Sequence, residues 1–325
     1  MNAGTRVVGA LIGITAFVVS GCGGGASSAD SAQGGEFTLR IGATSVTGTP
    51  AGSLGWGDKE EILADELASA GVTDIEYSFF QSGKDVVAAL LSGAVDVAAV
   101  GDNPALTAKG NGADLTLLAL DSVNGDTWLI GAKAGPTTIE GLAGKDVTAP
   151  QGTIRDRAAR QLIDLAGLTG RIEVKDVPTP ESIAGLSSGS VDATLVGDTG
   201  AVDLANRGFP VIDKTSNHRG IGSTGATVAL TEFVDAHPGF TEAWQDAVTA
   251  TNSDIAANLG AYTEWVAQID GVEVELVREA TKADTFNTEP FPDVGVEQLQ
   301  SAHDFLHDSG AFETPFDVRQ WIGLS

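Results

Sequence analysis

The chain has 325 residues, of which 42% are hydrophobic and 6% aromatic, so it is long enough for two domains that each bury a core. Its formal net charge of −26 opposes binding to phosphate backbones, and no nucleic-acid partner is expected. The single Cys, Cys22, excludes an intrachain disulfide and a thiolate zinc site, and the four His form no metal-binding motif. We therefore expect neither a metal nor a cofactor.

The N-terminus has the pattern of a bacterial lipoprotein signal. An apolar run from Val7 to Val19 follows one positive charge. It is too short to span a membrane but typical of a signal-peptide core. The run ends in the letters VSGC, which resemble a lipobox, in which the Cys is lipidated after cleavage. An ordinary secretory cleavage site with an incidental Cys is the alternative.

The position of the Cys favours the lipobox, because the only Cys of the chain lies where a lipobox requires it. We therefore expect residues 1–22 to be a lipoprotein signal peptide with lipidation at Cys22. The Gly- and Ser-rich residues 23–35 have nothing to bury and are expected to form a flexible tether. Together these features predict an extracytoplasmic protein that is anchored to the cell membrane through a lipid.

Strands and helices alternate in the first folded segment. The apolar spacing of Ile62, Leu63 and Leu67, for example, is typical of a helix. Short strands that alternate with helices predict a mainly parallel sheet with helices on its faces. The predicted elements are a strand at 37–44, a helix at 58–71, a strand at 74–80, a helix at 83–93 and strands at 95–101, 115–122 and 127–133.

The middle of the chain starts the same alternation again, and the chain becomes mostly helical after Val228. In the middle segment, Pro180 near the start of a helix and Gly189 at its end are typical boundary residues. The elements predicted there are a strand at 145–150, a helix at 153–168, a strand at 171–177, a helix at 179–189 and a strand at 191–197.

One sequence occurs twice within these segments. SGAVDVAAVGD at 92–102 returns as SGSVDATLVGD at 188–198, and the strand-helix-strand units that contain the two copies match along their length. We interpret this as a duplicated βαβ unit in two lobes. Asp96 and Asp192 lie where the two repeated strands begin, and a structural role is expected for both.

Further motifs follow one another in order along the folded chain. They are F-x-x-G-x-x-x-x-x-A-L-x-S-G-x-V-D at 80–96, VGDNPAL at 100–106, KDVTAPQGT at 145–153, TEFVDAHPGFTEAW at 231–244 and FLHDSGAFETPFDVRQWI at 305–322. With the lipobox and the repeat, this order resembles the extracellular solute-binding proteins of ABC importers. The resemblance is to the aliphatic sulfonate, taurine and nitrate (SsuA/TauA/NMT1-like) group, which includes binders of thiamine precursors.

The resemblance implies an α/β fold of the type II periplasmic-binding-protein kind, with two α/β lobes joined by a two-crossing hinge. Lobe 1 would comprise residues 36–127 and 226–325, and lobe 2 residues 128–225. The hinge crossings would lie near 126–132 and 221–228. The ligand would lie between the lobes, and the ABC permease with its ATPase would recognise the closed form. A monomer without catalytic activity is expected.

Candidate ligand-binding residues follow from the general position of ligands in open α/β sheets, beyond the carboxyl ends of the strands. The loops at these ends provide hydroxyl, amide and carboxylate groups and a Trp ring, and a guanidinium lies near the second hinge crossing. The candidates are Ser45, Thr47, Trp56, Gln81, Ser82, Asp102, Asn103, Gln151, Thr153, Asp198, Thr199 and Arg219.

Several of these candidates have an equally good structural interpretation. Thr153, Asp102 and Asp198 are residue types that cap helix N-termini without any ligand. Trp56 fits a core position as well as a ligand-stacking position. Arg219 fits an ion pair with one of the many carboxylates of the chain.

The charges of the candidates favour a zwitterionic ligand. Asp102 and Asp198 favour an amine or a polyol, whereas the helix N-terminus at Thr153 and the guanidinium of Arg219 favour an anion. An aminosulfonate satisfies both, so a sulfonate or taurine-like solute ranks first. A thiamine precursor or another heteroaromatic or nitrogenous solute, with Trp56 as a stacking wall, is the alternative. A role as a sensor lipoprotein is a further alternative.

The remaining functional class to consider is an enzyme of the same fold. The resemblance extends to pyrimidine-precursor synthases, which use an active-site Cys together with a pyridoxal-binding constellation. This chain has no Cys beyond Cys22, so no thiol nucleophile is expected in its mature form.

Overall fold

Two five-stranded sheets organise the computed structural model, which describes residues 35–45 and 48–323. The predicted signal peptide, Cys22 and Thr47 lie outside the described residues. The strands of the first sheet are β1 (Phe37–Thr44), β2 (Val72–Phe80), β3 (Val97–Gly101), β4 (Leu115–Gly125) and β10 (Ser223–Leu230). Those of the second sheet are β5 (Thr127–Gly131), β6 (Asp146–Ala149), β7 (Glu173–Asp176), β8 (Ala193–Gly197) and β9 (Val211–Lys214).

Helices connect the strands and cover the sheets. In the first half of the chain they are α1 (Gly52–Lys59), α2 (Ile62–Leu67), α3 (Gly83–Leu91), α4 (Asp102–Gly110), α5 (Ile154–Leu165) and α6 (Thr179–Ser188). In the second half they are α7 (Asp198–Asn206), α8 (Thr231–Ala236), α9 (Phe240–Ala257), α10 (Leu259–Asp270), α11 (Val274–Ala280), α12 (Asp293–Asp308) and α13 (Val318–Trp321). No helix in the described part of the chain combines the length and the apolar character needed to span a membrane.

The two sheets have the same strand pattern. The first has the order β2-β1-β3-β10-β4 and the second the order β7-β6-β8-β5-β9. In each sheet the first three strands are parallel, as the βαβ alternation predicts, and the fourth is antiparallel to both of its neighbours. The α/β fold class is therefore confirmed, with one reversed strand in each sheet.

The reversed strands lie where the chain passes from one sheet to the other. A single residue, Asp126, separates β4 of the first sheet from β5 of the second. The chain returns through the residues between Lys214 and Ser223, from β9 to β10. The sequence pattern predicts neither β9 nor β10, because these strands lie among Gly, Asn and Ser residues and have little apolar alternation.

The single helix predicted over 58–71 is wrong. The structure has α1 from Gly52, a break at Glu60 and Glu61, and then α2. Glu61 has a φ of 61°, in the left-handed region that ends a regular helix. The apolar spacing was correct for α2, in which Leu63 and Leu67 are buried, but it could not show that the helix is interrupted before them.

The repeated Asp residues at the strand starts have equivalent hydrogen bonds. The carboxylate of Asp96 accepts the backbone N–H of Arg40 at 2.9 Å, and that of Asp192 accepts the backbone N–H of Asp146 at 3.0 Å. Each bond joins the third strand of a sheet to the strand beside it. The structural role expected for this pair follows from these bonds, which pin the register of two parallel strands.

Helices with a capped N-terminus and one apolar face pack against both sheets. Ser82 caps α3 by accepting the N–H of Asp85 at 3.3 Å, and the apolar face of α3 buries Val86 and Leu90. In the same way Thr153 caps α5, which buries its Ala and Leu face against the second sheet. Separate apolar clusters on these sheets follow from this arrangement.

Candidate ligand-binding site

A cavity of about 590 Å³ opens between the two sheets. Its walls are the end of β1, the first turn of α1, the connection from β4 to β5, the first turn of α7, and the segment from α10 to Phe286. This position corresponds to the carboxyl ends of the strands in both sheets, where ligands of open α/β sheets bind. The volume lies within the range of roughly 300–1,000 Å³ that is typical of small-molecule sites.

Acidic side chains dominate the ionisable groups of the cavity wall. They are Asp121, Asp126, Asp198, Asp270 and Glu279. Lys282 supplies a positive charge, but its ammonium group already pairs with Asp126 at 3.0 Å. The wall therefore carries a surplus of negative charge that a bound cation would compensate.

Asp126, at the chain crossing, is an anion that the protein itself satisfies. Its carboxylate accepts the indole N–H of Trp128 at 2.9 Å and hydrogen bonds from the backbone and hydroxyl groups of Ser216 at 2.9 and 2.8 Å. Burial alone would raise the pKa of Asp126, but these hydrogen bonds and that of Lys282 outweigh it and lower the pKa. Asp126 thus connects β5, the return crossing and the C-terminal segment.

Asp198 and Asp270 lack such partners. Among the described residues, neither carboxylate takes part in a hydrogen bond or an ion pair, and both line the cavity. Both residues are exposed to the cavity, but the surrounding protein limits the hydration of their carboxylates and so raises their pKa. The nearby Arg155 opposes the rise in the pKa of Asp198, and the charge of Asp126 adds to it. The charge of Asp198 adds to the rise in the pKa of Asp270. The two groups therefore repel each other across a region that a positive charge would stabilise.

The backbone of the cavity wall is strained at two positions. Asn124 and Asp198 have φ angles of 57° and 53°, in the left-handed region that non-glycine residues rarely occupy. Both line the cavity. Asn and Asp tolerate this region better than other non-glycine residues, and such conformations are concentrated at functional sites.

The N-terminus of α1 gives another part of the cavity wall a partial positive charge, opposite to that of the carboxylates. Residues 51–54 line the cavity, and within the described part of the chain no side chain caps this helix. The first N–H groups of a helix have no intrahelical partner, and the helix dipole makes this end attractive to anions. The cavity thus combines carboxylates with a helix N-terminus, as a zwitterionic solute requires.

Asp121 gives the cavity a titratable group near neutral pH. Burial raises its pKa to about 7, although the hydroxyl of Thr227 donates to the carboxylate at 2.6 Å and opposes the rise. Because the folded state then binds more protons than the unfolded state between pH 4 and pH 7, this group makes the protein less stable as the pH rises through that range.

Replacing Asp121 by Asn is expected to remove this dependence. The free energy of unfolding, measured by urea denaturation at pH 5 and pH 8, should fall less with rising pH in Asp121→Asn than in the wild type. Asp246→Asn, which changes an exposed carboxylate on α9, is the control and should keep the wild-type dependence. An unchanged dependence in Asp121→Asn would contradict the assignment.

Two of the candidate residues predicted from sequence, Asp198 and Thr199, line the cavity. The remaining described candidates lie outside its wall. Ser45 donates to the carbonyl of Thr49 at 2.8 Å, and the backbone N–H of Gln151 donates to Asp176 at 2.9 Å. A ligand-binding role for Ser45 and Gln151 stays a prediction.

The other predicted polar residues have local functions. Ser82 and Thr153 cap α3 and α5, and Gln81 is exposed beside the first of these caps. The guanidinium of Arg219 is exposed and pairs with Glu297 at 2.8 Å. These contacts agree with the structural interpretations of Thr153 and Arg219, while their ligand contacts stay predictions.

Trp56 lies in an aromatic cluster behind the cavity wall. It is 2% exposed, donates its indole N–H to Asp254 at 2.7 Å, and packs edge-on against Tyr262 and Trp265. This arrangement agrees with the core interpretation. Trp56 supports the cavity through Tyr262, and a direct stacking role stays a prediction.

Asp102 and Asn103 are buried at the start of α4, where they bind Arg157 of α5. Arg157 donates to Asp102 at 2.7 Å and to Asn103 at 2.8 Å, and Asp102 also accepts the N–H of Thr224 at 3.1 Å. The side chains of this ion pair are at most 1% exposed. The pair links a helix of the second sheet to a helix of the first.

Sequence reasoning missed the cavity residues that the C-terminal segment supplies. Tyr262 and Asp270 on α10, and Lys282 and Phe286 beyond α11, line the cavity but belong to no motif. It also missed Arg155, whose Nε is buried without a hydrogen-bond partner among the described residues. The spacing of Tyr262, Val266 and Asp270 at intervals of four was the available signal, because it places the three on one helix face.

The geometry consists of two similar α/β halves, between which the chain passes twice, and a solute-sized cavity at their strand ends. No group of three or more His, Cys, Asp or Glu in the described ranges could hold a metal ion. The chain belongs to the NMT1-like family, whose model matches residues 51–253. No curated protein sequence matches the chain.

Solved structures with the same fold include two sulfonate-binding proteins. The periplasmic aliphatic sulphonate binding protein SsuA from Escherichia coli has a TM-score of 0.71 and 18% identity, over 88% of this chain and 91% of its own. The alkanesulfonate-binding protein SsuA from Xanthomonas axonopodis pv. citri, bound to MOPS, has a TM-score of 0.70 and 18% identity, over 87% and 97%. These similarities confirm the periplasmic-binding-protein fold.

An enzyme also shares this fold. The desulfurization enzyme DSZB has a TM-score of 0.66 and 14% identity, over 87% of this chain and 96% of its own. The fold alone therefore does not separate a binding protein from an enzyme, and the function must be argued from the cavity.

Proposed function

We propose that this protein is the solute-binding lipoprotein of an ABC importer and that it captures a small organic sulfonate that carries an amine. Taurine is a small solute of this kind. The observation that carries this proposal is a single cavity that presents both unpartnered carboxylates and an uncapped helix N-terminus.

The amine of the proposed solute is supported by charge. Asp198 and Asp270 lack protein partners among the described residues, and Lys282, a cation of the wall, is already paired. A nitrate ion or an alkyl sulfonate without a nitrogen would bring another negative charge to this wall. A protonated amine would compensate it.

The sulfonate is supported by the opposite wall and by the relatives. The N–H groups of Gly52, Ser53 and Leu54 lie at the uncapped start of α1, where an anion is favoured. Two proteins of the same fold are named for sulfonate binding, and one of them holds MOPS, which itself contains both an amine and a sulfonate. The cavity has room for taurine or a larger substituted derivative.

A nitrogen heterocycle such as a thiamine precursor is the second candidate. It is favoured by the aromatic rings of Trp128, Tyr262 and Phe286 in the wall. Trp128 is already covered by the ammonium group of Lys214, 3.3 Å from the ring centre, so one of these faces has a partner within the protein. Charge therefore ranks the aminosulfonate first.

The proposal has three further parts. The protein delivers its solute to a permease and its ATPase, it is anchored through Cys22, and it acts as a monomer. The two lobes, 36–127 with 226–325 and 128–225, would close on the solute about the crossings at Asp126 and between Lys214 and Ser223. No catalytic step is proposed, because the chain has no Cys other than Cys22 and therefore no thiol nucleophile at the cavity.

Calorimetric titration tests the proposed solute class. The mature protein, without residues 1–22, is titrated with taurine, ethanesulfonate, nitrate and an aminopyrimidine. We expect taurine to bind most tightly, and at a hundredfold excess over its Kd to stabilise the fold by about 2.7 kcal/mol. Tighter binding of ethanesulfonate or nitrate would contradict the role of the carboxylates. Tighter binding of the aminopyrimidine would establish the second candidate.

A further inference from the structure

Tyr262 is a largely buried residue whose hydroxyl is open to the cavity. The residue is 6% exposed and lines the cavity, yet no hydrogen bond of its hydroxyl occurs among the described residues. The phenol oxygen is open to the cavity, so a ligand or water that lies there can complete its hydrogen bonds. The hydroxyl of Tyr262 therefore points to a ligand group that hydrogen-bonds there.

The same hydroxyl lies within the electrostatic field of two carboxylates. Burial raises the pKa of Tyr262, and the charges of Asp198 and Asp270 raise it further. Asp198 in turn raises the pKa of Asp270. Tyr262, Asp198 and Asp270 all line the one cavity, and their charges act on one another across it.

Helix geometry and packing hold this cluster in place. Tyr262 and Asp270 lie on one face of α10, and Val266 lines the cavity between them. The ring of Tyr262 packs edge-on against Phe286, with centroids 5.1 Å apart, and against Trp56 at 5.5 Å. Asp198 enters from the start of α7, in its strained backbone conformation. The acceptors are therefore presented by a packed wall.

The chemistry of three such acceptors matches one ligand group. A protonated primary amine has three N–H donors and one positive charge. Two carboxylates and a phenol oxygen can accept all three donors, and the carboxylates compensate the charge. Each N-methyl group would replace one donor by a bulky apolar group and leave one acceptor unpaired.

We propose that Asp198, Tyr262 and Asp270 form an ammonium subsite, which selects a primary amine on the solute over its N-methylated forms. This inference rests on the proposed function, because it assigns the amine end of the same solute. Arg155, which lies near Asp198, would keep that carboxylate ionised when the amine binds.

The test compares taurine with its N-methyl, N,N-dimethyl and N,N,N-trimethyl derivatives by calorimetry. In the wild type the affinity should fall with each methyl group. Asp198→Asn, Asp270→Asn and Tyr262→Phe should each weaken taurine binding by about ten- to a hundredfold and flatten the dependence on methylation. Asn tolerates the left-handed backbone conformation of position 198, so the fold of that variant should be preserved.

Matched controls lie outside the cavity wall. Asp284→Asn removes one exposed carboxylate beside the same segment, and Tyr77→Phe removes the other Tyr hydroxyl of the chain, which donates to Asp58. Both should keep the wild-type affinity and methylation dependence. Thermal unfolding of every variant verifies that the protein is folded under the titration conditions.

The outcomes separate the subsite from the proposed function. If taurine binds and the three variants retain its affinity and selectivity, the subsite is overturned while the proposed function stands. If the wild type binds primary amines without a sulfonate equally well, and Asp270→Asn and Tyr262→Phe weaken them, the subsite stands and the sulfonate assignment fails. If no amine binds, or if trimethylated taurine binds as well as taurine, the subsite is overturned.

Discussion

Arg157→Met is expected to lower the free energy of unfolding by about 3–5 kcal/mol, because it leaves the buried carboxylate of Asp102 without its cationic partner. The two side chains are almost completely shielded from solvent and lie 2.7 Å apart. Asp102 would keep only the N–H of Thr224, which is insufficient to compensate a buried charge. The measurement is urea denaturation of the mature protein, with and without the substitution.

The neighbouring Arg160 provides the matched control. It lies on the same helix and pairs with Asp156 at 2.7 Å, but its side chain is 43% exposed. Arg160→Met should therefore change the free energy of unfolding by less than about 1 kcal/mol. Adding Asp102→Asn to Arg157→Met should recover part of the loss, because it removes the unpaired charge. Equal effects of the two Arg substitutions would show that burial does not determine the contribution of this pair.

Cys22→Ser is expected to move the protein almost completely from the membrane fraction to the soluble fraction. The proposed anchor is a diacylglycerol thioether, which a hydroxyl cannot form in place of the thiol. Two acyl chains anchor stably because each buried CH₂ contributes about 0.8 kcal/mol. The net charge of −26 provides no compensating attraction to anionic lipids.

Ser27→Ala in the predicted tether is the control and should remain in the membrane fraction. Fractionation followed by immunodetection measures both variants in the native host. Retention of Cys22→Ser in the membrane fraction after a high-salt wash would contradict lipidation at this residue. It would favour the alternative, in which the Cys is incidental to a secretory signal.

The sequence predicts the fold well where it repeats. The copies at 92–102 and 188–198 occupy equivalent places, each with the third strand of a sheet followed by a helix that begins at the Asp after Gly101 or Gly197. Local periodicity was sufficient for these units, because each helix buries one face. It was insufficient for β9 and β10, whose positions depend on the crossings between the sheets.

The two repeated Asp residues show why the site was harder to predict than the fold. Asp102 and Asp198 follow identical Val-Gly pairs and both begin a helix. Asp102 lies against Arg157 and is buried, whereas Asp198 meets no such cation at hydrogen-bond distance and faces the cavity. The difference comes from the opposite sheet, so no pattern around either residue could reveal it.

Part of the cavity wall comes from α10, which lies far along the chain from the repeated units. Tyr262 and Asp270 lie on a helix that contributes little to the sheet cores, and they face the start of α7 only after the chain has returned through the second crossing. The spacing of Tyr262 and Asp270 indicates that they share a helix face, but it does not indicate which part of the protein that face meets. Position in space, rather than residue type, made them candidates.

The crystal structure of the mature protein with taurine tests the central claim most directly. We predict that the nitrogen lies within hydrogen-bond distance of Asp198, Tyr262 and Asp270, with the sulfonate at the N–H groups that begin α1. Taurine bound with its sulfonate at the start of α5 beside Thr153, or a cavity that stays empty at saturating taurine, would contradict the account.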